Sequence, residues 1–100
     1  MEIRTQVKGS SATLEVEGRL SVKTSPELEK KVNNLDESIT QLTIDLSGTE
    51  YVASAGLRVL VAADKLMTSR KGKLTLRHPT EGVFEVLDMT GLVEVFTIER

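Results

Sequence analysis

The sequence predicts an α/β fold: a mixed, mainly parallel β-sheet with three to four helices packed against it. Stretches that alternate apolar and polar residues, or that are rich in β-branched residues, take turns along the chain with stretches of helical apolar periodicity. Their order is strand, strand, helix, strand, helix, strand, helix, strand, which favours parallel strands joined by right-handed crossovers. We expect residues 1–100 to form one domain, because no linker or internal repeat divides them.

The first two strands are predicted to form a hairpin that adds antiparallel character. Apolar or β-branched residues alternate with polar ones over 2–7 and again over 12–17, with a glycine-containing turn between them.

We expect the segment 18–23 to be a loop. A first helix should begin at 24–27, where hydroxyl side chains that can cap a helix, Thr24 and Ser25, precede a proline and a glutamate.

The second predicted helix follows a strand at 42–46 and runs from about 54 to 69. Its helical periodicity predicts one face turned to the sheet, made of Gly56, Val59, Leu60, Ala63, Leu66 and Met67. The other side should carry Arg58, Val61, Ala62, Lys65 and Ser69. After it we predict a strand at 73–77, a third helix capped by Thr80 and closed by Gly91, and a final strand at 92–98.

The composition excludes several classes of function. The absence of cysteine excludes disulfides, thiol catalysis and zinc–thiolate sites, and the single histidine, His78, excludes a multi-histidine metal site within the chain. A net charge of -2 and only three aromatic residues make nucleic-acid binding a poor fit. No stretch approaches the roughly 18 apolar residues of a membrane-spanning helix. We therefore expect no cofactor, no nucleic-acid partner, no membrane insertion and a cytoplasmic location.

Small residues mark the junction between the strand at 42–46 and the second helix. Ala53, Ser54, Ala55 and Gly56 leave one hydroxyl, that of Ser54, at a helix N-terminus. Such an end carries unpaired backbone N–H groups and a partial positive charge, and it favours an anion. The junction is therefore a binding turn, a phosphorylation site or a plain helix cap.

Catalysis by Ser54 is disfavoured, so the protein is not expected to be an enzyme. Val52 replaces the first glycine of a Gly-x-Ser-x-Gly nucleophile elbow. Asp45 and His78 show no triad spacing. We expect Asp45 to accept hydrogen bonds from backbone donors of the adjoining loop, and His78 to be a loop residue.

The stretch from Ile44-Asp45-Leu46-Ser47-Gly48 through Tyr51-Val52 to Ser54-Ala55-Gly56-Leu57 resembles the STAS domain, and more narrowly the stand-alone anti-sigma factor antagonists. In that family the serine two residues before the glycine, here Ser54, is phosphorylated by an anti-sigma factor that is a serine kinase. The unphosphorylated antagonist binds the anti-sigma factor and frees the sigma factor, and a serine phosphatase reverses the modification. The resemblance implies a regulatory protein that is the substrate of these enzymes. We expect a monomer, because nothing in the sequence demands a larger assembly.

The same resemblance implies a partner-binding surface around Ser54. We expect it to consist of Ser21, Ala53, Ala55, Gly56, Arg58, Val61, Ala62 and Lys65. The family usually has aspartate at the positions of Ser21 and Ala53. The alternative hypothesis is a STAS interaction module of another complex, such as an accessory subunit of a transporter, in which Ser54 is not modified.

Overall fold

The computed structural model describes all 100 residues of the chain. Its strands are β1 (Glu2–Lys8), β2 (Ser11–Leu20), β3 (Gln41–Val52), β4 (Lys73–Arg77) and β5 (Thr97–Glu99). Its helices are α1 (Ser25–Asn33), α2 (Ser54–Ser69) and α3 (Glu81–Met89), with one 3₁₀ turn at Leu92–Glu94. None of these helices is long and apolar enough to cross a membrane.

The five strands form one sheet in the order β1-β2-β3-β4-β5. The hairpin pair β1–β2 is antiparallel, and the other three pairs are parallel. The predicted mixed, mainly parallel sheet with three to four helices is therefore confirmed.

The two faces of the sheet differ in polarity. Leu14, Ile44 and Leu76 lie in one row across β2, β3 and β4 and are fully buried. The neighbouring row on the opposite face, Thr13, Thr43 and Thr75, stays partly exposed. Because side chains alternate between the faces of a strand, the core of 21 buried hydrophobic residues lies on one side of the sheet. Helix α2 packs there against β3, β4 and α1.

Two strand predictions were wrong in their bounds. β2 continues to Leu20 instead of ending near Gly18, and register shifts at Glu15/Glu17 and Gly18/Arg19 interrupt its pairing with β3. Gly18 adopts a positive φ of 108° there, a conformation that suits glycine. These bulges break the alternation of side chains, so the period-two pattern ends before the strand does. β3 likewise extends to Val52 instead of Leu46.

The final strand is much shorter than the predicted 92–98. Gly91 closes α3 with a φ of 76°, and Leu92–Glu94 form a 3₁₀ turn. The N–H of Phe96 donates to the carbonyl of Leu92 at 3.0 Å, a helical type of bond that removes these residues from the sheet. Phe96 is still buried, which accounts for a strand-like apolar pattern in a segment that is mostly a turn.

The predicted caps had different outcomes. Thr80 caps α3 by accepting a hydrogen bond from the N–H of Val83, as predicted. Thr24 is the residue before α1, but its hydroxyl donates to the carbonyl of Arg19 at 2.6 Å and caps no helical N–H. Ser25 lies inside α1, and its hydroxyl donates to the carbonyl of Ser21. The prediction that Ser25 is a cap was therefore wrong.

Candidate functional site at the start of helix α2

The ends of β2 and β3 meet directly in front of α2. Leu20 pairs with Val52, and the N–H of Ala53 donates to the carbonyl of Leu20 at 2.9 Å. Ser21 and Ala53, the residues that follow these two strands, therefore lie at the same edge of the sheet. The structure thus brings together the two positions at which the sequence lacks the aspartates usual in the family it resembles.

Ser21 is held in a bonded turn. Its N–H donates to Thr24 Oγ1 at 2.8 Å, and its Oγ lies 3.2 Å from the same atom. Its carbonyl accepts from both the N–H and the hydroxyl of Ser25, at 2.8 and 2.5 Å. These bonds fix the loop between β2 and α1 and leave Ser21 half-buried beside the start of α2.

Ser54 is the first residue of α2, and Ala53 is its N-cap, with an extended backbone (φ -89°, ψ 170°) and no side-chain cap. Ser54 therefore does not cap the helix, and the interpretation of this serine as a plain cap was wrong. Its side chain is exposed, and its hydroxyl makes no hydrogen bond with the rest of the chain. The hydroxyl is thus accessible to another protein.

The first turn of α2 contains no acidic residue. The other two helices do carry one there, Glu27 in α1 and Glu81 in α3. The partial positive charge at the start of α2 is therefore not offset by a carboxylate of its own first turn. An anion near such an exposed end is favoured by about 0.3–1 kcal/mol.

Gly56 lies two residues beyond Ser54, but it is buried. A Cβ placed on it would lie 2.7 Å from Leu20 Cγ and 2.9 Å from Val52 Cγ2, closer than real Cβ atoms approach. The missing side chain therefore lets the start of α2 lie directly on the ends of β2 and β3. This burial corrects its predicted place in the partner-binding surface: Gly56 positions that surface without contributing to it.

An open groove with a volume of about 490 Å³ runs along the outer side of α2. We call it the α2 groove, and its lining residues are Ser54, Leu57, Arg58, Val61, Ala62, Lys65 and Leu92. Five of these seven are predicted site residues, and the structure brings them together on one surface. Arg58 and Lys65 give this surface a positive charge over an apolar floor.

Sequence reasoning missed Leu57 and Leu92 as lining residues. Leu57 follows Gly56 on the helix and is only 9% exposed. The helical periodicity did not assign it to the outer side of α2, although it lines the groove. Leu92 was assigned to a strand, whereas the 3₁₀ turn after α3 places it beside α2. No local signal in the sequence reveals that contact, because it depends on how α3 packs.

A second depression of about 280 Å³ lies on the other side of Arg58, between the start of α1 and α2. We call it the α1–α2 depression, and it is lined by Val22, Ser25, Pro26, Glu29, Ala55, Arg58 and Val59. Arg58 thus borders both hollows, whereas Ala55 belongs to the α1–α2 depression alone. The predicted surface is therefore divided by Arg58.

Asp45 has a structural role away from the α2 groove. Its Oδ1 accepts from the N–H of Ser47 at 2.9 Å, which confirms the predicted bond to a backbone donor, and its Oδ2 accepts from two guanidinium nitrogens of Arg77. Burial acts to raise the pKa of Asp45, but hydrogen bonds from Ser47 and the charge and hydrogen bonds of Arg77 outweigh it, so the pKa is lowered. His78 follows β4 in a loop with a φ of 52°, as predicted.

Comparison with known proteins places these features in a family. The family model described as "Mlab, STAS domain" matches residues 3–97. The anti-sigma-B factor antagonist of Bacillus subtilis (strain 168) is 31% identical over 100 residues, which cover 98% of this chain and 92% of that protein. The chain belongs to the STAS domain family.

Solved structures share the fold at lower identity. The crystal structure of an anti-sigma factor antagonist from Mycobacterium paratuberculosis is 23% identical, covers 98% of this chain and 84% of that chain, and has a TM-score of 0.86. The Bacillus cell fate determinant SpoIIAA in its phosphorylated form is 13% identical, covers 99% and 92% of the two chains, and has a TM-score of 0.77. This chain therefore shares the arrangement of strands and helices of these two structures.

Proposed function

We propose that this protein is an anti-sigma factor antagonist switched by phosphorylation of Ser54. In its unmodified form it binds an anti-sigma factor that is also a serine kinase, and this binding frees a sigma factor for transcription. The observation that carries the proposal is the exposed Ser54 hydroxyl, free of hydrogen bonds, at the rim of the α2 groove. The relative that matches nearly the whole chain carries the name anti-sigma-B factor antagonist, which supports the same role.

The protein is the substrate of this chemistry and not its catalyst. The kinase transfers the γ-phosphoryl group of ATP to Ser54 Oγ: the Oγ–P bond forms, the bond between the γ-phosphorus and the bridging oxygen of ADP breaks, and the hydroxyl proton passes to a base of the kinase. A serine phosphatase then hydrolyses the ester with water, which returns the hydroxyl and releases inorganic phosphate. Both steps belong to cytoplasmic partners.

The position of Ser54 suits a switch that acts on the partner and leaves the domain folded. A phosphoryl group adds about -1.5 to -2 charges at pH 7. At Ser54 this charge meets the positive end of α2, where no carboxylate opposes it. SpoIIAA, solved in unphosphorylated and phosphorylated forms, resembles this chain with TM-scores of 0.79 and 0.77. SpoIIAA therefore has this fold in its phosphorylated form as well as in its unphosphorylated form.

The α2 groove supplies the docking surface in this proposal. Val61 is partly buried and Ala62 is exposed, and together they give an apolar floor between the cations Arg58 and Lys65. Surfaces of this mixed character are common at protein–protein interfaces. A phosphoryl group at Ser54 adds bulk and negative charge at one end of the groove, where the partner would sit.

The proposal is tested by incubating the protein with the anti-sigma factor kinase of the same organism and ATP, and measuring the intact mass. We expect a gain of one phosphoryl group that is lost in Ser54→Ala. Ser69→Ala serves as the matched control, because Ser69 is an exposed serine on the same helix and this variant should still be modified. No gain, or a gain that survives Ser54→Ala, would contradict the proposal.

One observation supports the alternative of a STAS module that serves another complex with Ser54 unmodified. Ala53 and Ser21 stand at the meeting of β2, β3 and α2, where the family it resembles usually has two aspartates. If those carboxylates are needed for recognition by the kinase, their absence leaves a binding surface without a switch. In that case the α2 groove still binds a partner, but the incubation yields no phosphorylated protein.

A further inference from the structure

We propose that Arg58 is the intramolecular partner of a phosphoryl group on Ser54, and that this pair closes the Ser54 end of the α2 groove. The inference rests on the proposed function, since it concerns the phosphorylated form, and it adds the means by which the modification changes the surface. The phosphate adds bulk at the Ser54 end of the groove. Because it also pairs with the Arg58 guanidinium, that guanidinium can no longer contact the docking partner.

The spacing of the two residues brings their side chains together. Ser54 and Arg58 are four residues apart on α2, both are exposed, and both line the α2 groove. Side chains at this spacing lie on one face of a helix, with Cβ atoms about 5–6 Å apart. The long arginine side chain spans that distance, and its planar fork of N–H donors pairs with two phosphate oxygens at once.

Arg58 has no ion pair or hydrogen bond in the unmodified protein. The four salt bridges of the structure involve only Arg4 and Arg77 as cations. Glu29 of α1 shares the α1–α2 depression with Arg58, but the two side chains form no ion pair. The guanidinium is therefore available to a phosphate without first breaking another contact.

Lys65, the other cation of the α2 groove, is too far along the helix to replace Arg58. It lies eleven residues beyond Ser54, which is about 16 Å along the axis. A phosphoryl group at Ser54 can therefore pair with Arg58 but not with Lys65. After modification the groove keeps its cation at the Lys65 end and loses the use of its cation at the Ser54 end.

The test uses protein in which phosphoserine is incorporated at position 54 during synthesis, so that neither kinase nor partner is needed. The second ionisation of the phosphate, with a pKa of about 6, is followed by ³¹P NMR at low salt. A nearby guanidinium stabilises the dianion, so Arg58→Gln should raise this pKa by about 0.3. Lys65→Gln should change it by less than a third of that amount, and Arg58→Lys should restore part of the shift.

Equal phosphate pKa values in the parent protein and Arg58→Gln would overturn the inference, and so would an equal effect of Lys65→Gln. High salt should reduce all these differences, because the groups are exposed. A clear Arg58 effect in a protein that no kinase modifies would support the pairing and contradict the proposed function, so the two failures are distinguishable.

Discussion

At the scale of single residues, Ser54 and Gly56 lie two positions apart on α2 and have opposite surroundings. The Ser54 side chain is exposed and makes no hydrogen bond, whereas a side chain on Gly56 would collide with Leu20 and Val52. One residue displays a reactive group, and the other lets the helix that displays it lie against the sheet. A motif of small residues thus combines a site with the packing that positions it.

We predict that Gly56→Ala destabilises the fold by about 1–2 kcal/mol. The new methyl group would lie 2.7 Å from Leu20 Cγ, and the cost of this overpacking exceeds the helix propensity that alanine gains over glycine. Gly82→Ala is the matched control, because Gly82 lies in α3 and a Cβ added to it would meet no atom within 4 Å. Urea unfolding should show no loss for the control, and equal stabilities of the two variants would contradict the packing role of Gly56.

We also predict that Ser54→Asp leaves the free energy of unfolding within about 0.5 kcal/mol of the parent, or raises it slightly. The carboxylate would face solvent and the positive end of α2, which favours negative charge. Thermal unfolding followed by circular dichroism measures the change. A variant that unfolds at a much lower temperature would show that the serine is structural, and the switch proposal would lose its main support.

At the scale of elements, α2 was predicted correctly in its bounds and in both of its faces. Its 16 residues repeat the helical period several times, and long periodic patterns specify both an element and its orientation. The short segment 92–98 gave too few residues to distinguish a strand from a turn that buries Phe96. The contact of Leu92 with α2 depends on tertiary packing, and no sequence period encodes it.

We predict that Ala62→Glu weakens binding to the partner at least about tenfold, or about 1.4 kcal/mol. The new carboxylate would stand four residues after Arg58 and three before Lys65, where it pairs with the cations of the α2 groove and occupies its floor. Thr68→Glu is the control, because Thr68 is exposed on the same helix but does not line the groove. Isothermal titration with the anti-sigma factor should show a loss for Ala62→Glu alone; equal affinities would remove the groove from the interface.

At the scale of the whole molecule, the two faces of the sheet differ in what packs on them. One face carries the core and the helices, and α2 presents Ser54 from there. The other face is polar, and it holds the ion pair between Asp45 and Arg77 in neighbouring strands. The order of elements was enough to predict a mixed, mainly parallel sheet with helices packed against it, but not that the core lies on one face only. The strand bulges and the partners of Asp45 required the structure, because they depend on register.

The Asp45–Arg77 pair predicts how stability changes with pH. The pKa of Asp45 is lowered in the fold from its ordinary value of 3.8. Its contribution to stability is therefore complete above that ordinary value and is lost as the pH falls through the lower folded pKa. The difference in unfolding free energy between the parent and Asp45→Asn should be largest near pH 7 and shrink in acid.

Urea unfolding across this pH range measures the effect, and Arg77→Gln should reproduce part of it because Arg77 donates two hydrogen bonds to the carboxylate. Parallel curves for the parent and Asp45→Asn would show that the ion pair contributes nothing to the acid response of the fold.

The central claim, that the state of Ser54 decides partner binding, is tested most directly by one comparison of affinity. The anti-sigma factor of the same organism is titrated with the unmodified protein and with protein that carries phosphoserine at position 54. We predict that the unmodified form binds and that the phosphorylated form binds at least about a hundredfold more weakly, or about 2.7 kcal/mol. Equal affinities of the two forms would contradict the claim.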